Sequence, residues 1–210
     1  MPTTTKLRYL TYEVKNSLKP GPLEGLSSGM IDQHWMLYKG YVTNTNLINK
    51  TLWDGMDSEK DINEPKLAEL ERRLGFEMNG MVLHEYYFEA LKKGADQPVS
   101  SSELHQKLSA DFGSFARWRK QFTGIGKMRG VGWVLTSLDP GTNRLINTWV
   151  SDHEIGHIAG YKPVIVMDVW EHAYVGDYGS TADGRAKYIE AYFQNLNWDV
   201  IAERLSKALT

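Results

Sequence analysis

In the last third of this 210-residue chain, Asp168-Val169-Trp170-Glu171-His172-Ala173-Tyr174 sets a carboxylate and an imidazole four residues apart. The pair follows the apolar run Val164-Ile165-Val166-Met167, which reads as a buried strand. A strand that stops at Asp168 and turns into a helical segment can aim both side chains at one point. One carboxylate oxygen with imidazole nitrogens suits a redox-active first-row ion such as iron or manganese, and also zinc. A buried Asp–His hydrogen-bonded pair is the plainer reading of the same spacing. A second constellation, His153-Glu154-Ile155-Gly156-His157, matches H-E-x-x-H, in which two zinc ligands and a general base share a helix. It lies between two strand-like runs, and too few residues separate Val150 from Val164 for a helix and two loops. Gly156 and Gly160 also weaken helicity, so a loop is expected there.

The elements that must carry these groups follow from periodicity. His34, Tyr38 and Tyr41 recur at i, i+4 and i+7 and share one face of a long helical stretch. Gly40 inside it costs about 1 kcal/mol against Ala and weakens a straight helix there. A second stretch carries Leu67, Leu70 and Leu74, and after Gly75 a new stripe of Gly80, His84, Phe88 and Leu91. Two such helices form an antiparallel hairpin, which faces His34 towards His84. Each His alone is most simply a satisfied core histidine. A polar break, Gly94-Ala95-Asp96-Gln97-Pro98, divides the chain into 1–96 and 97–210.

Beyond the break, one of Ser100 to Ser102 caps a helix with Leu104, Leu108 and Phe112. Gly113 ends it, and Ser114 starts another with Phe115, Trp118 and Phe122. Strand-like runs follow at Gly132–Thr136, Leu145–Val150 and Pro163–Met167, with Asp139-Pro140-Gly141 turning between the first two. A final helix starts near Asn197. The expected fold is α+β: an N-terminal helical hairpin, then a domain with a small, about three-stranded antiparallel sheet.

Composition narrows the class. Apolar residues are 41% and charged residues 24%, as in an ordinary globular protein. A net charge of −2 gives no global field for nucleic acid or a membrane surface. The absence of cysteine excludes thiolate metal sites. The segment Met1-Pro2-Thr3-Thr4-Thr5-Lys6-Leu7-Arg8 lacks an apolar signal core, and no run is long enough to span a membrane. A cytoplasmic protein is expected.

The heptad resembles the signature of the iron/manganese superoxide dismutases. His34 followed by Tyr41-Val42-Thr43-Asn44 is similar to that family's first-helix motif, and His84 followed by Glu85-Tyr86-Tyr87-Phe88 to its second. The resemblance implies one iron or manganese ion per chain, without choosing between them, on His34, His84, Asp168 and His172. It implies superoxide as substrate and a homodimer or tetramer. It casts Tyr41 as a gateway tyrosine and Trp133 and Trp170 as aromatic walls of the pocket. Glu171 becomes a contact to the partner subunit's His172, and Tyr174 its interface neighbour. His153 takes the place of an amide that hydrogen-bonds solvent at the metal, and Gly80 makes room for that donor. Because an imidazole can donate or accept, the redox potential could then depend on pH. The chain also departs from the family pattern. The interval from His34 to Tyr41 is one residue short, and Tyr38 stands where a His usually pairs with Tyr174 across the interface. Leu135 replaces a Trp, Gly179 a basic residue that steers the anion, and Leu10-Thr11-Tyr12 lacks a proline. The rival classes are a metal-free assembly module on this scaffold and a zinc hydrolase using His153, Glu154 and His157.

Overall fold

A computed structural model describes residues 9–56, 64–94 and 96–210. The segment 1–8, read above as lacking a signal core, and Ala95 of the polar break lie outside the described residues.

Two long helices open the chain, α1 (Ser28–Met56) and α2 (Glu64–Glu89). Neither Gly40 nor Gly75 interrupts them: both are helical, and a Cβ at either would meet nothing within 4 Å. These glycines weaken the helices without a steric reason to break them, and packing overrides propensity. In α1 the buried residues Ile31, His34, Trp35, Tyr38, Val42 and Thr45 recur at helical spacing. They face Glu77, Gly80, Met81, His84, Tyr87 and Phe88 on α2, so the two apolar faces seal against each other.

The helices α3 (Glu103–Phe112) and α4 (Phe115–Gly126) follow. Ser102 caps the first by accepting from the His105 N–H at 3.3 Å, and Ser114 caps the second by accepting from the Arg117 N–H at 3.1 Å. Between them Gly113, at φ 85°, takes the left-handed turn that closes α3. Three antiparallel strands come next: β1 (Gly132–Asp139), β2 (Arg144–Ser151) and β3 (Lys162–Asp168), in the order β2-β1-β3. Central β1 is buried along almost its whole length, and β3 is buried from Val164 to Asp168. The β1–β3 register shifts between Thr136 and Ser137, where Pro163 has no N–H for the ladder, and restores Trp133 opposite Asp168. The chain then makes a 3-10 turn (Glu171–Ala173), a short α5 (Val175–Tyr178), α6 (Ala182–Gln194) and α7 (Trp198–Leu209).

Helix α6 is missing from the sequence expectation. Its signal was present: Thr181 caps it by accepting from the Gly184 N–H, and Arg185, Tyr188, Ile189 and Tyr192 are buried at i, i+3, i+4 and i+7. This helix matters to the site because Tyr188 donates to the Asp168 carbonyl at 2.6 Å and Tyr192 to the Val166 carbonyl at 2.9 Å. Both bonds clamp the last turn of β3. No helix among the described residues is long and apolar enough to cross a membrane.

Candidate metal centre

Four side chains from four elements converge where α1, α2, β3 and the 3-10 turn meet. His34, His84, Asp168 and His172 each bring one ligand atom to within 4.8 Å of all the others. The Asp168 Oδ2 lies 3.0 Å from His34 Nε2, 3.1 Å from His172 Nε2 and 3.7 Å from His84 Nε2. His34, His84 and Asp168 are fully buried, and the His172 side chain is 20% exposed. The other Asp168 oxygen accepts from the Trp170 N–H at 2.8 Å, which fixes the carboxylate plane.

The protonation states favour cation binding. Burial lowers His34, and burial together with the neighbouring His34 holds His84 well below the ordinary imidazole value, so both rings are neutral and carry a free lone pair. His84 donates its Nδ1–H to the Gly80 carbonyl at 2.6 Å, which leaves Nε2 as the bare nitrogen. That Nε2 is buried without any hydrogen-bond partner among the described residues. Burial pushes the Asp168 carboxyl up, but His172 and His34 beside it outweigh burial and hold it well below the usual carboxylate range. A buried anion ringed by lone pairs, one of them orphaned, fits a divalent or trivalent ion. A mere Asp–His pair leaves the His84 nitrogen unexplained.

The surrounding shell is aromatic. Trp133 packs edge-on to His84 with ring centroids 5.0 Å apart, and Trp170 stacks on His172 at 5.7 Å. Trp170 also stacks on His153 at 4.9 Å. His153 is fully buried, and burial lowers it to about 4. Its Nδ1 lies 2.9 Å from Trp133 Nε1, and its Nε2 lies 2.7 Å from the Tyr41 hydroxyl. Tyr41 packs on His84 at 5.1 Å, and burial pushes its phenol well above the ordinary range. The space left by Gly80 is taken by the Tyr41 ring, two of whose carbons lie 2.6 and 2.7 Å from where an Ala Cβ would stand. Gly80 thus makes room for Tyr41 of the same hairpin, and Tyr41 in turn meets the donor from the other side.

The geometry bears out the loop expected at residues 153–157 and shows what surrounds Tyr38, Tyr174 and Glu171 within one subunit. The zinc-hydrolase motif sits in a turn, with Gly156 at φ 117°, and not on a helix. Both nitrogens of His153 are already hydrogen-bonded, and His157 Nε2 bonds the His153 carbonyl at 3.1 Å, so the two rings share no metal. Tyr38, read as the stand-in for an interface His, is fully buried within its own subunit. Its hydroxyl donates to Glu85 at 3.0 Å and accepts from the Lys15 N–H at 3.1 Å, and burial pushes it up to about 12. Tyr174, read as an interface neighbour, is buried at 3% exposure and stacks on Tyr188 at 5.6 Å. Glu171 is exposed, and its carboxylate makes no hydrogen bond or ion pair among the described residues. Sequence reasoning missed Phe76, edge-on to His153 at 4.6 Å, and Tyr188. Phe76 stands eight residues before His84 on α2, two turns away, and was legible from that spacing. Leu135 is a buried residue of β1, and Gly179 is exposed at φ 70°.

Comparison with known proteins points the same way. Residues 100–204 match the family model described as iron/manganese superoxide dismutases, C-terminal domain. The chain is 37% identical to an iron superoxide dismutase of Cupriavidus metallidurans, over 95% of this chain and 99% of the relative. An iron superoxide dismutase of Aquifex pyrophilus is 36% identical over 94% of this chain and 92% of its own. A manganese superoxide dismutase of Haloferax volcanii is 29% identical over 95% and 94%.

Proposed function

The chain belongs to the iron/manganese superoxide dismutase family, and from that premise we propose that it converts superoxide to dioxygen and hydrogen peroxide. The observation that carries the reading is the convergence of His34, His84, Asp168 and His172 around a buried, unpartnered imidazole nitrogen. These four residues would hold one iron or manganese ion per chain. Three imidazoles and one carboxylate suit either ion. When bound, the ion supplies a one-electron couple that takes an electron from one superoxide and returns an electron to a second, with two protons consumed. The protein supplies everything else. Asp168, gripped by the Trp170 N–H and by Tyr188 through its own carbonyl, holds the negative ligand in one orientation. Trp133 and Trp170 wall the centre with aromatic rings packed on His84 and His172. Tyr41 and His153 bring a hydrogen-bonded path to the edge of the centre.

A metal-free assembly module has no use for an orphaned buried nitrogen, and the hydrolase constellation is not assembled. We further infer a homodimer, which can pair into a tetramer. Glu171 presents a free carboxylate beside His172, the ligand with solvent exposure, and a twofold contact would make a Glu171–His172 exchange reciprocal. Residues 1–96 and 97–210 serve as two structural units that each contribute two ligands, and the protein works in the cytoplasm. The test is elemental analysis with superoxide decay. The purified chain should hold near one iron or manganese and catalyse the decay, and His84→Ala should lose most of the metal. Metal-replete protein that does not accelerate the decay refutes the function.

A further inference from the structure

We propose that Trp133 fixes the ring tautomer of His153, so that His153 commits its only N–H to Tyr41, and Tyr41 presents the hydrogen-bond donor to the metal centre. The proposal deepens the dismutase reading, which it needs only for what the tyrosine serves.

The argument is one of proton counting. An indole Nε1–H can donate and cannot accept. Trp133 Nε1 stands 2.9 Å from His153 Nδ1 in a fully buried contact. A proton on Nδ1 would set N–H against N–H at that distance, so Nδ1 is bare. A neutral imidazole then carries its proton on Nε2. Nε2 lies 2.7 Å from the Tyr41 oxygen, so that bond runs from His153 to Tyr41. The opposite direction, with Tyr41 donating to Nε2, would require the proton that Trp133 forbids. Tyr41 keeps one O–H of its own, and among the described residues no second partner accepts it. Its ring lies 5.1 Å from that of His84, beside the centre.

An amide in the place of His153 has one more proton to give. It could accept from Trp133 through its oxygen, donate one N–H to Tyr41 and still offer another. The imidazole has none left. The three groups therefore form a chain in which every hydrogen bond points the same way, from Trp133 through His153 to Tyr41. Trp133 also packs on His84, but its N–H acts only through the other two, so in this scheme it is a positioning residue.

The first test uses the full chain loaded with zinc, a diamagnetic ion that the same ligand set can hold, with ¹⁵N-labelled histidine. Proton–nitrogen correlation spectra should show His153 protonated at Nε2 and bare at Nδ1. A proton on Nδ1, or on both nitrogens at neutral pH, overturns the proposal. Trp133→Phe should leave a mixture of His153 tautomers; a folded variant that keeps the single Nε2–H form shows that Trp133 is not what sets it. The second test reads the midpoint potential of the iron-loaded protein. His153→Leu should shift it, and most of that shift should vanish when Tyr41→Phe is already present. An undiminished shift means that His153 acts on the centre directly. Failure of the unmodified chain to dismutate superoxide would refute the function and leave the tautomer result standing, whereas an Nδ1 proton does the reverse.

Discussion

Replacing Gly80 by Ala should destabilise this protein, although the same change in most helix interiors does the opposite. A glycine inside a helix is worse than alanine by about 1 kcal/mol, so relief of that penalty favours the variant. The opposing cost is local and geometric. The new Cβ would stand 2.6, 2.7 and 3.0 Å from three carbons of the Tyr41 ring, whereas ordinary contact begins at 3.4 Å. The ring is rigid and must retreat by about 0.8 Å, the difference between 2.6 Å and that limit. Its far end is tied to His153 by a 2.7 Å hydrogen bond. A retreat of this size stretches the bond to about 3.5 Å, where it contributes little. Overpacking costs about 1–3 kcal/mol, and the weakened bond roughly 0.5–1.5 kcal/mol. Against the helix gain, the net loss is about 0.5–3.5 kcal/mol. Equilibrium denaturation of the metal-free forms measures it without a contribution from metal affinity. A second arm removes the obstacle: in a Tyr41→Ala background, Gly80→Ala should become stabilising by about 1 kcal/mol. If Gly80→Ala stabilises the unmodified chain by that amount, the Tyr41 ring does not rest on Gly80 and the account of the pocket is wrong.

Stability of the metal-free chain should fall as pH drops from 6.5 towards 4. Burial holds His34, His84 and His153 below the ordinary imidazole value of 6.5, with His153 at about 4, so below 6.5 the unfolded chain binds more protons than the folded one. Asp168 adds to the loss below the ordinary 3.8, because its unfolded carboxyl takes a proton first; a flat denaturation midpoint from pH 6.5 to 4 contradicts these assignments. Tyr38→Phe should cost roughly 0.5–1.5 kcal/mol, the value of its hydroxyl between Glu85 and the Lys15 N–H, and leave superoxide decay per bound metal unchanged. A large drop in decay rate would return Tyr38 to the centre. Glu171→Ala should loosen the dimer and the metal together, read by light scattering and elemental analysis on one preparation; loss of only one would separate the interface from the ligand.

The centre was legible through resemblance to short family motifs, since the Asp168–His172 spacing alone fits a plain buried pair as well. Asp168 and His172 lie one helical turn apart after an apolar run, and His84 lies one turn beyond the glycine whose carbonyl it binds. Those spacings survive folding unchanged. What stayed hidden was long-range. Tyr38 keeps the face it shares with His34, but its partners are Lys15, 23 residues back, and Glu85, 47 residues on, and no local pattern announces them. The role of Gly80 was half legible. A small residue one turn before His84 signals a visitor, yet only the packed hairpin identifies the visitor as Tyr41. Helix α6 was lost for another reason. The short stretch Gly179-Ser180 reads as a loop, and the periodic residues begin only at Arg185. The turn at His153 was read correctly, because two glycines close together argue against a helix whatever motif they interrupt.

The distribution of the four ligands along the chain also has a meaning for synthesis. His34 and Asp168 are 134 residues apart. At roughly 5–20 residues per second, His34 is added to the chain about 7–27 seconds before Asp168 exists. Before then the chain can offer two imidazoles and no carboxylate at this site, a weak and unselective pair. The clamp from Tyr188 arrives later still. Once it closes, three of the four ligands have no exposure to solvent, so an ion inside can exchange only if the structure opens. An ion taken up as the centre closes should therefore exchange slowly, at a rate set by how often these elements open.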